Sequence, residues 1–329
     1  MKAHYDVVVV GGGAAGLAGA VALARSRRSV LVIDAGAPRN AQADGVHNFL
    51  TREGTPPADL FALGRADVAS YGGEVVSGDV TGAERRDDGQ GFAVFLADGR
   101  EIEARLLLIV TGAVDELPDI PGLAERWGHD VLHCPFCHGW EARERAIGIL
   151  GTGPMAVHAT LLWRQISPDV TLFLNTAPPL TSEQAEQLAA LGVRVVMGRV
   201  TELVSADDRL TGVRMWDGAV IARDILVAAS VVHAHAGFLS ELGLHAEPLE
   251  IGGQVVATRL APGPVGSTEV PGVWIAGNVA DPMAQVITAA ADGMRAGAAI
   301  NMDLISEDTA RAVESYRAAN SARAGAHPG

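Results

Sequence analysis

The sequence contains only two cysteines in 329 residues, Cys134 and Cys137, with two residues between them. So few cysteines exclude a disulfide framework. One pair that closes so small a loop would add little stability, because disulfide stabilisation grows with loop length. A structural zinc site needs four ligands and usually takes two such pairs, and the flanking His133 and His138 complete one only with awkward local geometry. We therefore interpret the two cysteines as a redox-active pair, with metal binding and an inert pair as the alternatives.

Basic residues and aromatic residues are also scarce. The chain has 25 Lys and Arg against 39 Asp and Glu, a net charge of −14, which argues against nucleic acid or an anionic membrane as a partner. Aromatic residues make up 5% of the chain, whereas glycine is abundant at 39 residues and apolar content is 48%. This composition is typical of an α/β nucleotide-binding protein with many tight strand-to-helix turns, and the length allows two domains.

The N-terminal run from Val7 to Ala24 is nearly uncharged and has to be distinguished from an export signal. Asp6 directly precedes it, and its glycines are spaced as a phosphate-binding turn requires, which a signal peptide does not explain. We expect a cytoplasmic protein, in which a lone C-x-x-C is catalytic rather than a structural staple.

The residues around the cysteine pair predict how it works. Cys134 stands where a helix is expected to begin, with Pro135 at the first helical position, where a missing N–H costs nothing. Free N–H groups and the helix dipole favour a thiolate there, so Cys134 is the predicted exchange nucleophile and Cys137 the resolving cysteine. His138 is expected to accept or donate the thiol proton, and a plain surface histidine is the alternative. Trp140 is interpreted either as an aromatic wall over the site or as a core residue.

A dinucleotide-binding unit opens the chain. A buried strand at Tyr5–Val10 leads into Gly11-x-Gly13-x-x-Gly16, a helix follows to about Ser26, and a second strand ends at Asp34. The glycines allow the tight turn, the approach of a pyrophosphate and close helix–strand packing, and the acid is placed to bind a ribose 2′-OH. This context makes the motif specific, and it favours an unphosphorylated ribose, as in FAD or NAD.

A second copy of the unit follows the C-x-x-C. Strand Ala146–Leu150 leads into Gly151-x-Gly153-x-x-Ala156, and a further strand at Val170–Leu174 ends at Asn175. An amide therefore stands where an acid would hold a ribose, and Thr176-Ala177-Pro178-Pro179 offers no arginine for a 2′-phosphate. The pattern argues against NADPH and leaves NADH open.

The remaining pattern predicts short strands, a linker and a long helix. Glu101–Ala104 and Leu106–Val110 are predicted as separate strands, and Asp115–Pro121 as a domain linker. A long Ala-rich helix is predicted from near Asp281 to about Leu304, followed by at most an amphipathic helix and a frayed tail.

These motifs, in this order, resemble the low-molecular-weight thioredoxin reductase family of flavoproteins over nearly the whole chain. The resemblance implies an α/β fold of two Rossmann-like (three-layer ββα) dinucleotide-binding domains. It implies an FAD domain at 1–114 and 242–329, split by an inserted NAD(P)-like domain at 115–241 that carries the C-x-x-C, and a homodimer. Carried over position by position, the residues implied to bind FAD are Gly11, Gly13, Ala15, Gly16, Asp34, Ala35, Arg39, Asn48, Thr111, Gly112, Gly277, Asn278, Gln285 and Val286. Cys137 is implied to be nearest the flavin, with Cys134 facing the substrate and no metal in the site.

Three departures from the family pattern bear on function. His138 replaces an aspartate, Asn175-Thr176-Ala177 replaces the arginine-rich signature for NADP, and Gly277-Asn278 replaces Gly-Asp. The Cys-Pro-Phe-Cys-His-Gly form looks like the branch that oxidises small dithiols in gliotoxin- and holomycin-type biosynthesis.

We therefore predict an FAD-dependent dithiol oxidase that forms a disulfide in a small molecule through Cys134 and Cys137 and passes electrons to O₂, giving H₂O₂. The first alternative is a disulfide reductase acting on a thioredoxin-like protein and fed by NADH or a protein donor. The second is a non-catalytic flavoprotein that senses redox state. His233 and His235 are interpreted as loop histidines or as residues of the substrate path.

Overall fold

A computed structural model describes residues 2, 4–87 and 89–325, with side chains described as far as residue 321. The strands are β1 (His4–Val10), β2 (Val30–Asp34), β3 (Glu74–Ser77), β4 (Val80–Arg85), β5 (Phe92–Leu96), β6 (Glu101–Ile109), β7 (Ala113–Glu116), β8 (Val131–Leu132), β9 (Ile147–Leu150), β10 (Val170–Phe173), β11 (Arg194–Val196), β12 (Val200–Ala206), β13 (Arg209–Met215), β14 (Val220–Ala222), β15 (Ile225–Val227), β16 (Val231–Ala234), β17 (Glu247–Ile251), β18 (Gln254–Arg259) and β19 (Val273–Ile275). The α-helices are α1 (Ala14–Arg25), α2 (Pro57–Ser70), α3 (Pro135–His138), α4 (Ala156–Arg164), α5 (Ser182–Ala190) and α6 (Val286–Gly325).

The first sheet has the order β3-β2-β1-β6-β5-β4, and β19 pairs with β6. Its β3, β2, β1, β6 and β19 pairings are parallel, whereas β4, β5 and β6 pair antiparallel. Residues of α1, α2 and α6, among them Leu17, Phe61 and Ile300, pack on one face of the sheet. Leu239 and Leu244 pack on the other face. Burial of both faces explains why β1 is a run of valines without alternation.

The second sheet repeats this arrangement with the order β11-β10-β9-β15-β8, and all of its pairings are parallel. Residues of α4 and α5, including Trp163 and Leu188, pack on one face. A small antiparallel sheet of β12, β13 and β14 covers the other face through residues such as Leu203 and Val213. The predicted fold class, two Rossmann-like three-layer units, is confirmed.

A third sheet connects the two units, with the order β17-β18-β16-β7. Strand β7 leads out of the first unit and β16 leads back from the second, and the two pair antiparallel. Domain boundaries at 114/115 and 241/242 stay predictions.

The prediction of two strands at Glu101–Ala104 and Leu106–Val110 was wrong, because β6 is continuous. Arg105 lies in its middle without interrupting it. The guanidinium forms ion pairs with Asp6 at 2.9 Å and with Asp308 at 2.8 Å, so the charge is satisfied at the sheet surface.

The predicted limits of the last helix were also wrong. Helix α6 begins only at Val286 because Asn278 holds the preceding loop, its Nδ2 donating to the carbonyl oxygens of Asp281 (3.1 Å) and Ala284 (3.0 Å). The helix continues to Gly325, and Asp308, beyond the predicted end, pairs with both Arg28 and Arg105. None of the helices in the described ranges is long and apolar enough to span a membrane.

Candidate active site

Cys134 and Cys137 form a disulfide, with their Cα atoms 5.3 Å apart. Cys134 has extended backbone geometry at the N-cap of α3, and Pro135 occupies the first helical position, as predicted. The carbonyl oxygen of Cys134 accepts hydrogen bonds from the backbone N–H groups of Cys137 (3.2 Å) and His138 (3.1 Å). One helical turn therefore places both sulfurs on the same short element.

The loop before α2 holds the cysteine loop from the other side. The Nδ2 of Asn48 donates a hydrogen bond to the carbonyl oxygen of Phe136, at 2.6 Å. Asn48 has φ of 59°, a left-handed conformation that asparagine tolerates better than most residues, and its N–H donates to Oε2 of Glu53 at 2.9 Å. Asn48 was predicted to contact FAD, and its amide nitrogen is already engaged with the loop between the two cysteines.

His138 lies in a half-buried position among charged neighbours. Burial lowers the pKa of His138 below the ordinary 6.5, and the nearby His47 lowers it further, while Glu141 and Asp44 act in the opposite direction. The imidazole is therefore neutral at pH 7 and able to accept a proton. His47 is itself held by Glu53, with Nδ1 and Oε1 2.6 Å apart, and its Nε2 lies 3.8 Å from Oε1 of Glu141.

A cavity of about 80 Å³ adjoins His138. Its wall includes His47, His129, Glu141 and Arg145, so it is polar and roomy enough for ordered water. A water held in this cavity would be placed to take a proton from the ring.

His133 lies on the other side of Cys134 and stacks on Trp127, with ring centroids 5.9 Å apart. The residue is exposed at the surface, but the protein packed around it still desolvates the ring. That desolvation, together with the positive charge of Arg39, lowers the pKa of His133 to about 4. His133 is therefore neutral at pH 7.

Arg39 and Asp115 form a bidentate ion pair beside this histidine, with both N–O distances 2.6 Å. Ser230 donates a further hydrogen bond to Asp115 at 2.6 Å, and Arg39 donates to the carbonyl oxygen of Pro282 at 3.1 Å. Burial alone would raise the pKa of Asp115, but the bonds from Arg39 and Ser230 outweigh it and hold the pKa below its ordinary value. The pair joins the loop after β2, strand β7 and the loop before α6.

The first dinucleotide turn has the geometry that a diphosphate needs. Gly11 has φ of 116°, and a Cβ there would collide with the carbonyl oxygen of Val110. A Cβ on Gly16 would collide with the carbonyl oxygen of Gly11, whereas a Cβ on Gly13 would meet none of the described atoms within 4 Å. Gly13 is also the N-cap of α1, and within the described ranges no side chain caps that helix. An open space in front of free helix N–H groups fits the pyrophosphate of FAD.

Three other predicted FAD residues, Asp34, Ala15 and Gly277, lie at this turn. The Oδ1 of Asp34 accepts hydrogen bonds from the N–H groups of Gly12 (3.3 Å) and Gly36 (3.2 Å), which orients the carboxylate at the end of β2. A Cβ on Gly277 would lie 3.0 Å from the side chain of Ala15, so the C-terminal segment reaches the start of α1.

Five more predicted FAD residues lie just after β6, just after β2 and at the start of α6. Thr111 follows β6, and its hydroxyl donates to the carbonyl oxygen of His235 at 2.6 Å, while the Gly112 carbonyl accepts from the His235 N–H at 3.2 Å. Ala35 follows β2 and is exposed, Gln285 immediately precedes α6, and Val286 is its first residue. The predicted roles of the FAD and cysteine-site residues stay predictions.

His233 pairs with Glu116 across β16 and β7, with Nε2 and Oε2 2.7 Å apart. His235 packs edge-on against Phe238, with ring centroids 6.3 Å apart. Trp140 is 72% exposed rather than part of the core, and the guanidinium of Arg143 lies over its ring at 4.3 Å. Of its two sequence-based interpretations, the core one was wrong.

Sequence reasoning missed His47, Glu53 and Asp115 as residues near the site. His47 and Glu53 lie in a stretch that was interpreted only as a loop. The sequence feature that could have indicated them is a histidine and an acid placed close to Asn48 on either side. Asp115 was read as part of a linker. Among the residues that the structure describes, no group of three or more His, Cys, Asp or Glu side chains is arranged to hold a metal ion.

The comparisons with known proteins agree in both sequence and structure. The family model described as pyridine nucleotide-disulphide oxidoreductase matches residues 5–293. Thioredoxin reductase tcpT of Claviceps purpurea (strain 20.1) is 30% identical over 311 residues, which covers 92% of this chain and 95% of that protein. The crystal structure of HlmI is 42% identical, with a TM-score of 0.87 and coverage of 97% of this chain and 98% of that chain. An oxidoreductase from Agrobacterium tumefaciens is 34% identical, with a TM-score of 0.85 and coverage of 93% and 99%.

Proposed function

The chain belongs to the pyridine nucleotide-disulphide oxidoreductase family, and from that premise we propose that it is a dithiol oxidase that forms a disulfide in a small molecule. It is an FAD-dependent thiol/disulfide oxidoreductase, and its substrate is a dithiol or a disulfide. The resemblance to thioredoxin reductases is confirmed. The family pairs a flavin with a pyridine nucleotide, so the direction of the reaction depends on whether a nucleotide supplies electrons here.

The main support for the proposal is the hydrogen bonding of Asn175, which stands where an acid would bind the ribose in the second unit. Its Oδ1 accepts a hydrogen bond from the backbone N–H of Val200 at 3.1 Å, and its φ is 46°. The side chain is therefore used to hold the start of β12. Because an amide replaces the acid for the ribose and residues 176–179 carry no arginine for a 2′-phosphate, we expect NADPH to be excluded and NADH to bind weakly.

The surface around the disulfide suits a small apolar substrate. Phe136, between the two cysteines, is 61% exposed, and Trp140 is 72% exposed. Together with the resemblance to the gliotoxin- and holomycin-type branch, these exposed rings support a small-molecule dithiol as substrate.

The chain's own residues define the thiol steps. A substrate thiolate attacks the Sγ of Cys134, a new S–S bond forms, and Cys137 leaves as a thiolate. The second substrate thiol attacks the substrate sulfur of this mixed disulfide, which releases the cyclic disulfide and returns Cys134 as a thiol. His138, neutral at pH 7, accepts the proton that the substrate thiol loses when it becomes the attacking thiolate, and passes this proton to the polar cavity.

Bound FAD would supply the two-electron acceptor that lets the Cys134–Cys137 disulfide re-form, and with O₂ as the final acceptor the overall reaction is dithiol plus O₂ to disulfide plus H₂O₂. The first dinucleotide turn, with Gly11, Gly13 and Asp34, would hold it.

The test is an anaerobic titration of the flavin spectrum with NADPH, then NADH, then a small dithiol, followed by air. We expect the dithiol alone to bleach the flavin, and air to restore the colour with about one equivalent of peroxide per dithiol. The Cys134→Ser variant is the control that should not bleach. Rapid bleaching by a nicotinamide would instead support the second candidate, a disulfide reductase with a thioredoxin-like partner, which the names of relatives such as tcpT favour.

A further inference from the structure

The hairpin of β17 and β18 reaches the second dinucleotide turn. Its two-residue tip is Gly252-Gly253, with φ values of 60° and 79°, the left-handed pair of a tight type I′ turn, and Ile251 pairs with Gln254 across it. A Cβ on Gly252 would lie 3.0 Å from Cγ of Pro154, so the tip packs directly on the turn.

Gln254, the first residue after the tip, occupies the space beside Gly153. A Cβ on Gly153 would collide with the side-chain oxygen of Gln254. In a G-x-G-x-x-G turn the second glycine is the position at which a pyrophosphate approaches the backbone. The first unit provides an internal comparison, because the equivalent Gly13 faces open space within the described structure.

The helix that follows the second turn is also set back. In the first unit α1 begins at Ala14, directly after the second glycine, whereas in the second unit α4 begins only at Ala156, with Met155 as its N-cap. Since a pyrophosphate binds at a helix N-terminus through free N–H groups, the second unit offers these groups farther from the glycine.

We propose that Gln254 and the Gly252-Gly253 tip act as an internal plug that excludes dinucleotides from the second turn, so that Gln254 determines cofactor specificity. The plug concerns nucleotide binding itself and therefore goes beyond the direction of the thiol chemistry. It adds a steric exclusion to the missing ribose and phosphate ligands, and it applies to NADH and NADPH alike.

The test measures equilibrium binding of NADH and of ADP-ribose to the FAD-loaded protein, for example from the change in NADH fluorescence. Gln254→Ala removes the side chain, and Gln254→Ala combined with Pro154→Ala also removes the contact that seats the tip. Val255→Ala, at the next and also exposed position of the same strand, is the matched control. We expect these substitutions to tighten NADH binding by about tenfold or more. The apparent affinity is proportional to the fraction of protein molecules in which the second turn is open to the nucleotide.

Equal affinity of wild type, both opened variants and the control would overturn the plug, whether all bind or none does. Flavin content and bleaching by a small dithiol, measured on the same samples, report on folding and on the oxidase separately. Tighter NADH binding in Gln254→Ala without any dithiol-dependent bleaching would contradict the oxidase proposal but support the plug. Unchanged NADH binding with normal bleaching by the dithiol would contradict the plug but support the oxidase proposal.

Discussion

At the scale of single residues, His138 combines a position directly after Cys137 with a lowered pKa. Because burial disfavours the charged ring, the neutral form persists from high pH down to the lowered pKa, which lies below 6.5. The contribution of neutral His138 as a base should therefore persist through pH 6.5 and be lost only as the pH falls through that lower value.

We predict that His138→Gln slows flavin reduction by a small dithiol about 100-fold at pH 7, the low end of the range for general acid–base catalysis. Stopped-flow rates between pH 5 and 9 should also lose the acid limb of the wild-type profile, while the rise with substrate thiol ionisation stays. His158→Gln, on the exposed side of α4, is the control and should behave as wild type. An unchanged acid limb in His138→Gln would assign that limb to another group.

Asn48 supports the cysteine loop through a donor that an acid does not have. We predict that Asn48→Asp slows the same step about tenfold, because a carboxylate would face the carbonyl oxygen of Phe136 in place of the 2.6 Å hydrogen bond. Asn320→Asp, on the exposed end of α6, makes the same change of charge far along the chain. Equal loss of rate in both variants would point to net charge rather than to the loop.

The chemistry of individual positions was predictable where it depended on neighbours in sequence. Pro135 after Cys134 predicts the helix start, and that start was found. The partner of Asn48 was not predictable, because Phe136 lies 88 positions away and the contact depends on how the loop folds back on the second unit.

At the scale of elements, α1 and α6 cross at backbone contact. A Cβ on Gly293 would collide with the carbonyl oxygen of Ala15, and one on Gly297 would lie 2.7 Å from the carbonyl oxygen of Gly19. The contact fixes the N-terminus of α1, and with it the turn at Gly13. An arrangement of small residues thus positions the predicted FAD site.

We predict that Gly293→Ala lowers the thermal midpoint and the FAD content, although the same change would stabilise a free helix by about 1 kcal/mol. Here the added carbon meets backbone rather than a flexible side chain, and overpacking of this kind costs about 1–3 kcal/mol or more. Differential scanning fluorimetry and the flavin absorbance per chain measure both effects. Ser315→Ala, exposed on the same helix, should change neither. A raised midpoint in Gly293→Ala would contradict the crossing.

The elements were predicted best where burial leaves a continuous apolar run. Strands β1 and β9 were found within one residue of their predicted limits, because both faces of these strands are buried. Strand β7 was missed because its acids read as a linker, and Asp115 is satisfied only by the distant Arg39. The second turn was recognised from its glycines, but its contact with Gln254 comes from a hairpin about 100 positions later.

At the scale of the whole molecule, the Arg39–Asp115 pair joins segments that belong to different parts of the chain. Arg39 follows the first unit's β2, Asp115 lies on the crossing strand β7, and Ser230 precedes the returning strand β16. The side chain of Asp115 is only 10% exposed. Its hydrogen bonds therefore stabilise the junction of the two units with little screening by solvent.

Because the pKa of Asp115 is lowered in the folded protein, its stabilisation is complete above the ordinary carboxyl value of 3.8 and is lost as the pH falls through the lower, folded value. We predict that Asp115→Asn lowers the free energy of unfolding by about 1–3 kcal/mol at pH 7, since Arg39 then keeps a buried, uncompensated charge. The thermal midpoints of wild type and variant should converge as the pH drops below 4. Asp119→Asn, exposed four positions along, is the matched control and should follow wild type at every pH. A difference in thermal midpoint between wild type and Asp115→Asn that stayed constant from pH 7 to pH 3 would contradict this prediction. It would show that the lost stability does not depend on the charge of this carboxylate.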